Sequence, residues 1–249
     1  MILMRAPLVL ASLFLGLCPG AARAADSVCW IQSGVLLVPA TAAGVNGVFI
    51  LDTGAVQSQL DATQASEANL GDTAAVGEVR FAGRTFPNVR MQVLELDART
   101  RAFPTPIAGV LGSDILAGQV LQIEPNPCRV RLTPAGRRPR RAGDIVLPIT
   151  FRDGAPYVHA SVSDGIRGAA GDFRIDTGGA LAVTLPAGGP ATEAGRLRAL
   201  AIGGVLFENV PAGAPKDAAQ GRIGEPIWAR FAMRLDYARR TLTLSNPRP

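Results

Sequence analysis

The sequence contains the same short motif twice, and this internal repeat limits the folds open to the chain more than any other feature. Residues 49–54 read Phe-Ile-Leu-Asp-Thr-Gly, and residues 173–178 read Phe-Arg-Ile-Asp-Thr-Gly. Each copy ends a short apolar run of the kind that forms a buried strand. A motif that recurs in the same context indicates two copies of one structural unit.

A second pair of matching segments lies downstream of each motif. Residues 109–132 and 221–244 align at a constant offset of 112, and Gly112 matches Gly224 at the end of an aliphatic-Gly pattern. The aspartate of the motif is 57 residues from this second segment in the first half and 45 residues from it in the second. A loop therefore differs in length between the two halves.

These matches predict two homologous lobes, at residues 26–134 and 145–249. Residues 135–144 are rich in Arg, Pro and Gly, which is typical of an exposed linker. Short apolar runs and alternating patterns predict mostly strands, including a hairpin from Val79 to Val93. A short helix is expected after the repeated glycine of each half, with Ser113 as the N-cap of the first. The sequence thus predicts an all-β fold.

The repeated motif places a carboxyl group in a tight loop at the end of a strand in each half. The loops consist of Asp52, Thr53 and Gly54 in the first half and Asp176, Thr177 and Gly178 in the second. The glycines let the backbone turn sharply and approach the other lobe. The threonines can hydrogen-bond across to the opposite loop and fix both loops in place.

Two carboxyl groups held in contact share one proton, because like charges at that distance disfavour double ionisation. The ionised group can take a proton from a water molecule, while the protonated group donates to the carbonyl oxygen of an amide. The alternative interpretation is that Asp52 and Asp176 are ordinary turn residues, which leaves the flanking repeat as coincidence.

The paired loops, each followed by an aliphatic-aliphatic-Gly segment, resemble those of the pepsin/retropepsin clan of aspartic peptidases. The stretch 109–132 is similar to the closing segment of bacterial retropepsin-like domains. The resemblance implies a two-lobed acid-protease fold, with two retropepsin-like β-barrel lobes and a cleft between them. It also implies that Asp52 and Asp176 form the catalytic dyad, and that the strands carrying Gly112 and Gly224 support the two loops from behind.

The function expected on this basis is that of a monomeric aspartic endopeptidase, acting on an extended polypeptide without metal or organic cofactor. A catalytically weak or inactive retropepsin-like periplasmic binding module is the alternative. Gly179 stands where pepsins place Ser or Thr, and no pepsin-type flap tyrosine is found. Any flap is expected from about Ala65 to Gly77. A more remote alternative is a self-processing enzyme that cuts its own Arg-rich linker.

The N-terminus predicts export. Arg5 precedes an apolar run from Pro7 to Leu17, and Ala22-Arg23-Ala24 is a small-x-small cleavage site. We predict a signal peptide at residues 1–24, a periplasmic or secreted mature protein and no membrane insertion after the signal is removed. An uncleaved anchor is the alternative.

Cysteine content agrees with export. Cys29 and Cys128 remain once the signal is removed, and an oxidising compartment would allow them to form a disulfide. Two buried free thiols are the alternative, because the sequence alone does not prove pairing.

Other functional classes receive little support. His159 is the single histidine, so no zinc site is predicted, and a structural position on a strand is expected for it. Aromatic residues make up only 5% of the chain, which argues against stacking platforms for nucleic acid. The basic run from Arg137 to Arg141 is interpreted as a solvated linker, with attraction to anions or a membrane surface as the alternative.

Overall fold

The computed structural model of the protein describes residues 26–101, 103–136, 141–187, 189–190, 195–214 and 219–247. Strands contain 57% of the residues and helices 8%, which confirms the predicted all-β class. The predicted signal peptide at residues 1–24 lies outside the described residues, as do positions 137–140 of the basic run.

The first half forms a series of strands interrupted by short helices. Its elements are β1 (Ser27–Val28), β2 (Trp30–Gln32), β3 (Val35–Ala42), β4 (Val45–Leu51), β5 (Gln59–Asp61), α1 (Ala62–Glu67), β6 (Ala74–Phe81), β7 (Arg84–Leu94), α2 (Asp97–Thr100), β8 (Ile107–Leu111), a 3₁₀ helix (Ser113–Ile115), β9 (Gln119–Pro125) and β10 (Cys128–Pro134).

The second half repeats this order. Its elements are β11 (Ile145–Arg152), β12 (Ala155–Ser163), β13 (Gly168–Asp176), β14 (Val183–Thr184), β15 (Arg196–Ile202), β16 (Val205–Gly213), β17 (Arg222–Gly224), α3 (Glu225–Trp228), β18 (Ala232–Asp236) and β19 (Thr241–Ser245). The predicted linker, residues 135–144, thus falls between the end of β10 and the start of β11.

Each half closes its own six-stranded barrel. The first barrel has the order β3-β4-β8-β5-β7-β6 and closes through pairing of β3 with β6. The second has the order β12-β13-β17-β14-β16-β15 and closes through pairing of β12 with β15. Closure removes the exposed sheet edges that would otherwise favour aggregation, and it confirms the prediction of two barrel lobes.

A third sheet joins the halves, in the order β1-β10-β9-β18-β19-β11. Its centre is the antiparallel pairing of β9 with β18, in which Leu121 faces Leu235 and Ile123 faces Met233. All four side chains are buried, and they belong to one hydrophobic cluster that extends into both halves. Apolar contacts across this sheet therefore fix how one half sits on the other.

The strands that end at the two repeated loops are held in equivalent ways. β4 pairs in parallel with β8, so that Leu51 lies beside Leu111, and β13 pairs in parallel with β17, so that Asp176 lies beside Gly224. Phe49, Ile50 and Leu51 are fully buried, which anchors the strand before the first loop. In each half, the downstream aliphatic-Gly strand thus lies beside the strand that ends at the repeated loop.

The predicted hairpin and the predicted short helices are present. The predicted hairpin is β6–β7, and Ala82 and Gly83 in its turn have positive φ values of 48° and 68°, as in a type I′ turn. Short helices do follow Gly112 and Gly224. The prediction of Ser113 as an N-cap is wrong: Gly112 takes that place, and Ser113 begins the helix.

Cys29 and Cys128 form the expected disulfide. Cys29 lies between β1 and β2, and Cys128 begins β10, so the bond attaches the start of the described chain to the joining sheet. None of the helices in the described residues is long and apolar enough to cross a membrane.

Replacing both cysteines by serine should lower the free energy of unfolding by about 4–5 kcal/mol, because the bond closes a loop of roughly a hundred residues in the unfolded chain. Guanidinium denaturation of the oxidised wild type and the double variant measures this loss. An unchanged denaturation midpoint would contradict the predicted contribution.

Candidate active site

Asp52 and Asp176 lie side by side where the repeated loops of the two halves meet. Asp52 directly follows β4, and Asp176 is the last residue of β13. The two carboxyl groups border the same point, since a Cβ atom at Gly54 would lie 3.0 Å from Asp176 Cγ and 3.1 Å from Asp52 Oδ1, and their residues are only 5% and 7% exposed. Two carboxyl groups this close disfavour double ionisation, which favours one shared proton on the pair.

Reciprocal hydrogen bonds between two threonines join the loops. Thr53 Oγ1 donates to Ile175 O and Thr177 Oγ1 donates to Leu51 O, both at 2.6 Å. In return, Thr53 N donates to Thr177 Oγ1 at 3.1 Å, and Thr177 N donates to Thr53 Oγ1 at 3.3 Å. Both threonines are fully buried, so these bonds satisfy groups that water does not reach.

The glycine of each loop allows the loops to approach closely. A Cβ atom at Gly178 would lie 2.5 Å from Asp52 Cγ, and one at Gly54 would lie 3.0 Å from Asp176 Cγ. A carbon added at Gly178 would overlap Asp52, and one added at Gly54 would press on Asp176 and require it to shift by a few tenths of an ångström.

Gly112 and Gly224 lie behind the loops, where backbone packs directly on backbone. A Cβ atom at Gly224 would lie 2.1 Å from Leu181 O, and one at Gly112 would lie 2.8 Å from Gln57 C. The residue after Gly112 also contributes, because Ser113 Oγ donates to Thr53 O at 2.6 Å. The support glycines thus allow a second layer of chain to brace the loops.

The two aspartates have different surroundings although their loops are alike. Asp52 Oδ1 accepts from the backbone N–H groups of Gly54 at 2.8 Å and Ala55 at 2.9 Å. These two donors satisfy Asp52 Oδ1 although the residue is buried. Asp176 Oδ1 is buried and has no hydrogen-bond partner among the residues that the structure describes.

Burial raises the pKa of Asp176 from its ordinary value of 3.8 to about 7. The negative charge of Asp52 and the hydrogen bond to it act in the same direction, while the positive charges of Arg99 and Arg222 partly oppose the rise. Asp176 therefore keeps a proton across the acidic range.

A third carboxyl group, Glu225, lies behind Asp176. Its N–H donates to Gly179 O at 3.0 Å, and a Cβ atom at Gly179 would lie 3.0 Å from Asp176 Cγ. Glu225 is 1% exposed, and its Oε2 atom has no hydrogen-bond partner. Burial, with a further contribution from the charge of Asp176, raises its pKa well above the ordinary value of 4.5.

An arginine from the first half reaches into the dyad. Arg99, on the one-turn helix α2, donates through Nη2 to Asp52 Oδ2 at 2.5 Å and to Gly178 O at 3.1 Å. Its side chain is 33% exposed, so it covers the dyad from the solvent side. A surface cavity of about 370 Å³ lies elsewhere, along β9 and β10, and neither aspartate lines it.

A second arginine binds the equivalent carbonyl of the other loop. Arg174, on β13, donates through Nη1 to Gly54 O at 3.0 Å. Its other nitrogens donate to Tyr157 Oη at 3.1 Å and Gln220 Oε1 at 3.2 Å. The guanidinium groups of Arg99 and Arg174 thus donate hydrogen bonds to the carbonyl oxygens of both loop glycines.

The sequence analysis missed Arg99, Arg174 and Glu225. The repeat carried a signal for the last two, since Arg174 aligns with Ile50 and Glu225 aligns with Ser113. For Arg99 the signal was the longer first half: twelve residues separate β7 (ending at Leu94) from β8 (starting at Ile107), whereas eight separate β16 from β17.

The segment from Ala65 to Gly77, from which a flap was expected, belongs to the body of the first lobe. Its start lies in α1, where Ala65 is buried, and its end lies in β6. Arg99, which comes from α2, reaches the Asp52 carboxyl group with its side chain from outside the two loops.

Among the described residues, no group of three or more His, Cys, Asp or Glu side chains could hold a metal ion. His159 is an exposed residue of β12, with its Nδ1 atom 3.4 Å from Asp172 Oδ1. This is the structural strand position that the sequence predicted for it.

The sequence matches none of the known protein-family profiles, and a search among curated proteins finds no match.

Replacing Thr177 by valine should lower the free energy of unfolding by about 2–4 kcal/mol, because it leaves Leu51 O and Thr53 N buried without their partner. Urea denaturation measures the loss. Thr105→Val, at an exposed position, is the matched control and should change the value by less than about 0.5 kcal/mol. Equal stability of the two variants would contradict the role assigned to the threonine bonds.

The stability of the protein should fall as the pH rises above about 4.5, and Glu225→Gln should reduce that fall. The folded-state pKa of Glu225 lies above its unfolded value of 4.5. Its stabilising contribution is therefore complete below pH 4.5 and is lost as the pH rises through the folded pKa. The slope attributable to this group is at most about 1.4 kcal/mol per pH unit.

Melting temperatures across this range measure the effect. Asp176→Asn should likewise remove the loss of stability that titration of Asp176 causes between pH 3.8 and about 7. Glu208→Gln, at an exposed position, is the control and should follow the wild type. A Glu225→Gln profile parallel to that of the wild type would show that Glu225 does not titrate in this way.

Proposed function

We propose that the protein is a two-lobed aspartic endopeptidase of the pepsin/retropepsin kind, with Asp52 and Asp176 as its catalytic dyad. The observation that carries this proposal is the close pair of buried carboxyl groups at the crossing of two symmetric loops. Both lobes belong to one chain, so a monomer supplies the complete pair.

The different surroundings of the two acids support separate roles. Asp52 acts as the base, because two backbone N–H groups hold its Oδ1 atom in place beside the acid. Asp176 acts as the acid, because burial raises its pKa to about 7. A base and an acid in contact are what hydrolysis of an amide requires.

In the proposed reaction, the oxygen of a water molecule bonds to the amide carbon. Asp52 takes a proton from that water, and Asp176 donates its proton to the carbonyl oxygen. The carbon–nitrogen bond of the resulting diol then breaks as Asp52 gives its proton to the nitrogen and Asp176 recovers one from a hydroxyl group. Both acids return to their starting states, and the products are a carboxylic acid and an amine.

An extended polypeptide is the proposed substrate. The carbonyl groups of Gly54 and Gly178 flank the dyad and accept hydrogen bonds from N–H groups. Main-chain N–H groups of an extended chain are donors of the same kind, so such a chain can bind along the line of the two loops.

The Cys29–Cys128 disulfide supports a periplasmic or secreted location, since disulfides persist mainly in oxidising compartments. We therefore propose that the enzyme acts on polypeptides outside the cytoplasm.

A binding module is the second candidate. The observation that favours it is the burial of both aspartates together with the contact of Arg99 on Asp52. In a binding module this ion pair would be permanent, and the polypeptide would bind without being cut.

Asp52→Asn and Asp176→Asn should each reduce hydrolysis by at least about 100-fold while leaving the fold intact, because each removes a proton-transfer group. The assay follows cleavage of a peptide library by mass spectrometry from acidic to neutral pH. Asp72→Asn, at an exposed position of the first lobe, is the control and should keep wild-type activity.

Full activity in either dyad variant would refute the assignment. Absence of cleavage by the wild type, with retained binding of a hydroxyl-containing peptide mimic of the diol, would favour the binding module.

A further inference from the structure

Arg99 belongs to the same half as Asp52 but also contacts the opposite loop. Its Nη2 atom is 2.5 Å from Asp52 Oδ2 and 3.1 Å from Gly178 O. A Cβ atom at Gly178 would lie 2.5 Å from the same nitrogen, so the guanidinium packs directly on the backbone of the second loop. One side chain therefore bridges the two loops on the side of the dyad that faces solvent.

A bound substrate would need access to the same atoms that Arg99 contacts. The proposed reaction requires a water molecule on Asp52 and an amide carbonyl beside both aspartates. The polypeptide also requires Gly178 O as a hydrogen-bond acceptor. Arg99 occupies Asp52 Oδ2 and Gly178 O at the same time, so it and the substrate exclude each other.

We propose that Arg99 is a latch that keeps the cleft closed in the free protein and must leave Asp52 before a polypeptide reaches the dyad. The proposal rests on the proposed function and adds regulation of the same site. It also accounts for how a paired dyad comes to be almost fully buried.

The segment that carries Arg99 can release it without unfolding. Leu96 anchors the segment: it is buried, and its N–H donates to Asp61 Oδ2 at 3.3 Å. Asp97, Ala98 and Arg101 of the same turn are exposed. Movement of the Arg99 side chain alone would therefore open the site while Leu96 stays in the core.

The cost of release is moderate, because the Arg99 side chain is already 33% exposed and gains hydration when it moves outward. Arg174 is different, since it is held by Tyr157 and Gln220 as well as by Gly54 O. We assign it a fixed structural role on the other loop. An incoming polypeptide replaces the Arg99 contact to Gly178 O with a main-chain N–H group, which favours the open state once substrate is present.

Chemical labelling of Asp52 tests the latch without requiring catalysis. A nitrophenyl glycidyl ether esterifies an accessible carboxylate: a carboxylate oxygen bonds to an epoxide carbon, the ring carbon–oxygen bond breaks and the alkoxide takes a proton from water. The labelled residue is identified by peptide mass spectrometry, and rates are compared at the plateau of their pH dependence. Asp52→Asn identifies the signal that belongs to this site.

Arg99→Ala should label Asp52 about 10-fold faster or more than the wild type, as expected when a charge-assisted hydrogen bond to a buried partner is lost. Arg99→Gln provides a second variant should the first fold poorly. Arg101→Ala, an exposed arginine on the same segment, is the matched control and should label at the wild-type rate. Raising NaCl from about 0.05 M to about 0.5 M should accelerate labelling of the wild type but not of Arg99→Ala, because salt screens the ion pair.

Equal labelling rates in wild type and both Arg99 variants would overturn the latch. So would loss of cleavage in folded Arg99 variants that label faster, since Arg99 would then take part in the chemistry. The expected result for cleavage is a rise in kcat/KM. Faster labelling with no cleavage by any protein supports the latch and refutes the peptidase, whereas normal cleavage with unchanged labelling refutes only the latch.

Discussion

The exchange of hydrogen bonds between Thr53 and Thr177 is the interaction on which the rest of the site depends. Each hydroxyl donates to a backbone carbonyl of the other half and accepts from the N–H of the other threonine. Neither loop can satisfy its buried polar groups within its own half. The carboxyl pair consequently exists only when the halves meet in one register, which the pairing of β9 with β18 provides. The geometry of the dyad therefore depends on the packing of the joining sheet.

Within this symmetric frame, the flanking residues make the two aspartates chemically different. Ala55 gives Asp52 a second N–H donor, whereas Asp176 Oδ1 has no partner. Behind the loops, a serine hydroxyl donates to Thr53 O in the first half, while the acid Glu225 stands in the matching place of the second. A duplicated motif supplies two equal carboxyl groups, and their unequal neighbours give them the different surroundings that the proposed mechanism assigns to a base and an acid.

The sequence predicted the parts of the structure that repeat. Two copies of each motif were enough for the two barrels, because closed barrels bury the apolar runs that both halves share. The threonine exchange was also predictable, since the same residue in both loops can satisfy the same need twice. The contact of Arg99 was not predictable. The loop that carries Arg99 has this length in the first half alone, and the long side chain must reach the other lobe. The expected flap failed for a related reason: small residues between Ala65 and Gly77 suit a mobile hairpin and a packed helix equally well.

The buried carboxyl oxygens that lack hydrogen-bond partners in the described residues bear on whether the protein is an enzyme or a binding module. Asp176 and Glu225 each bury an oxygen without a hydrogen-bond partner, and such groups destabilise a fold by about 1–3 kcal/mol each. A protein that only binds gains nothing from this loss of stability, because an apolar or amide side chain of similar size would avoid it. A hydrolase does have a use for it, since burial is what raises the pKa of Asp176 to about 7 and keeps its proton available. In the proposed enzyme, the contact of Arg99 with Asp52 serves the same need, because a dyad kept dry in the free protein is ready to transfer protons once a substrate replaces the arginine.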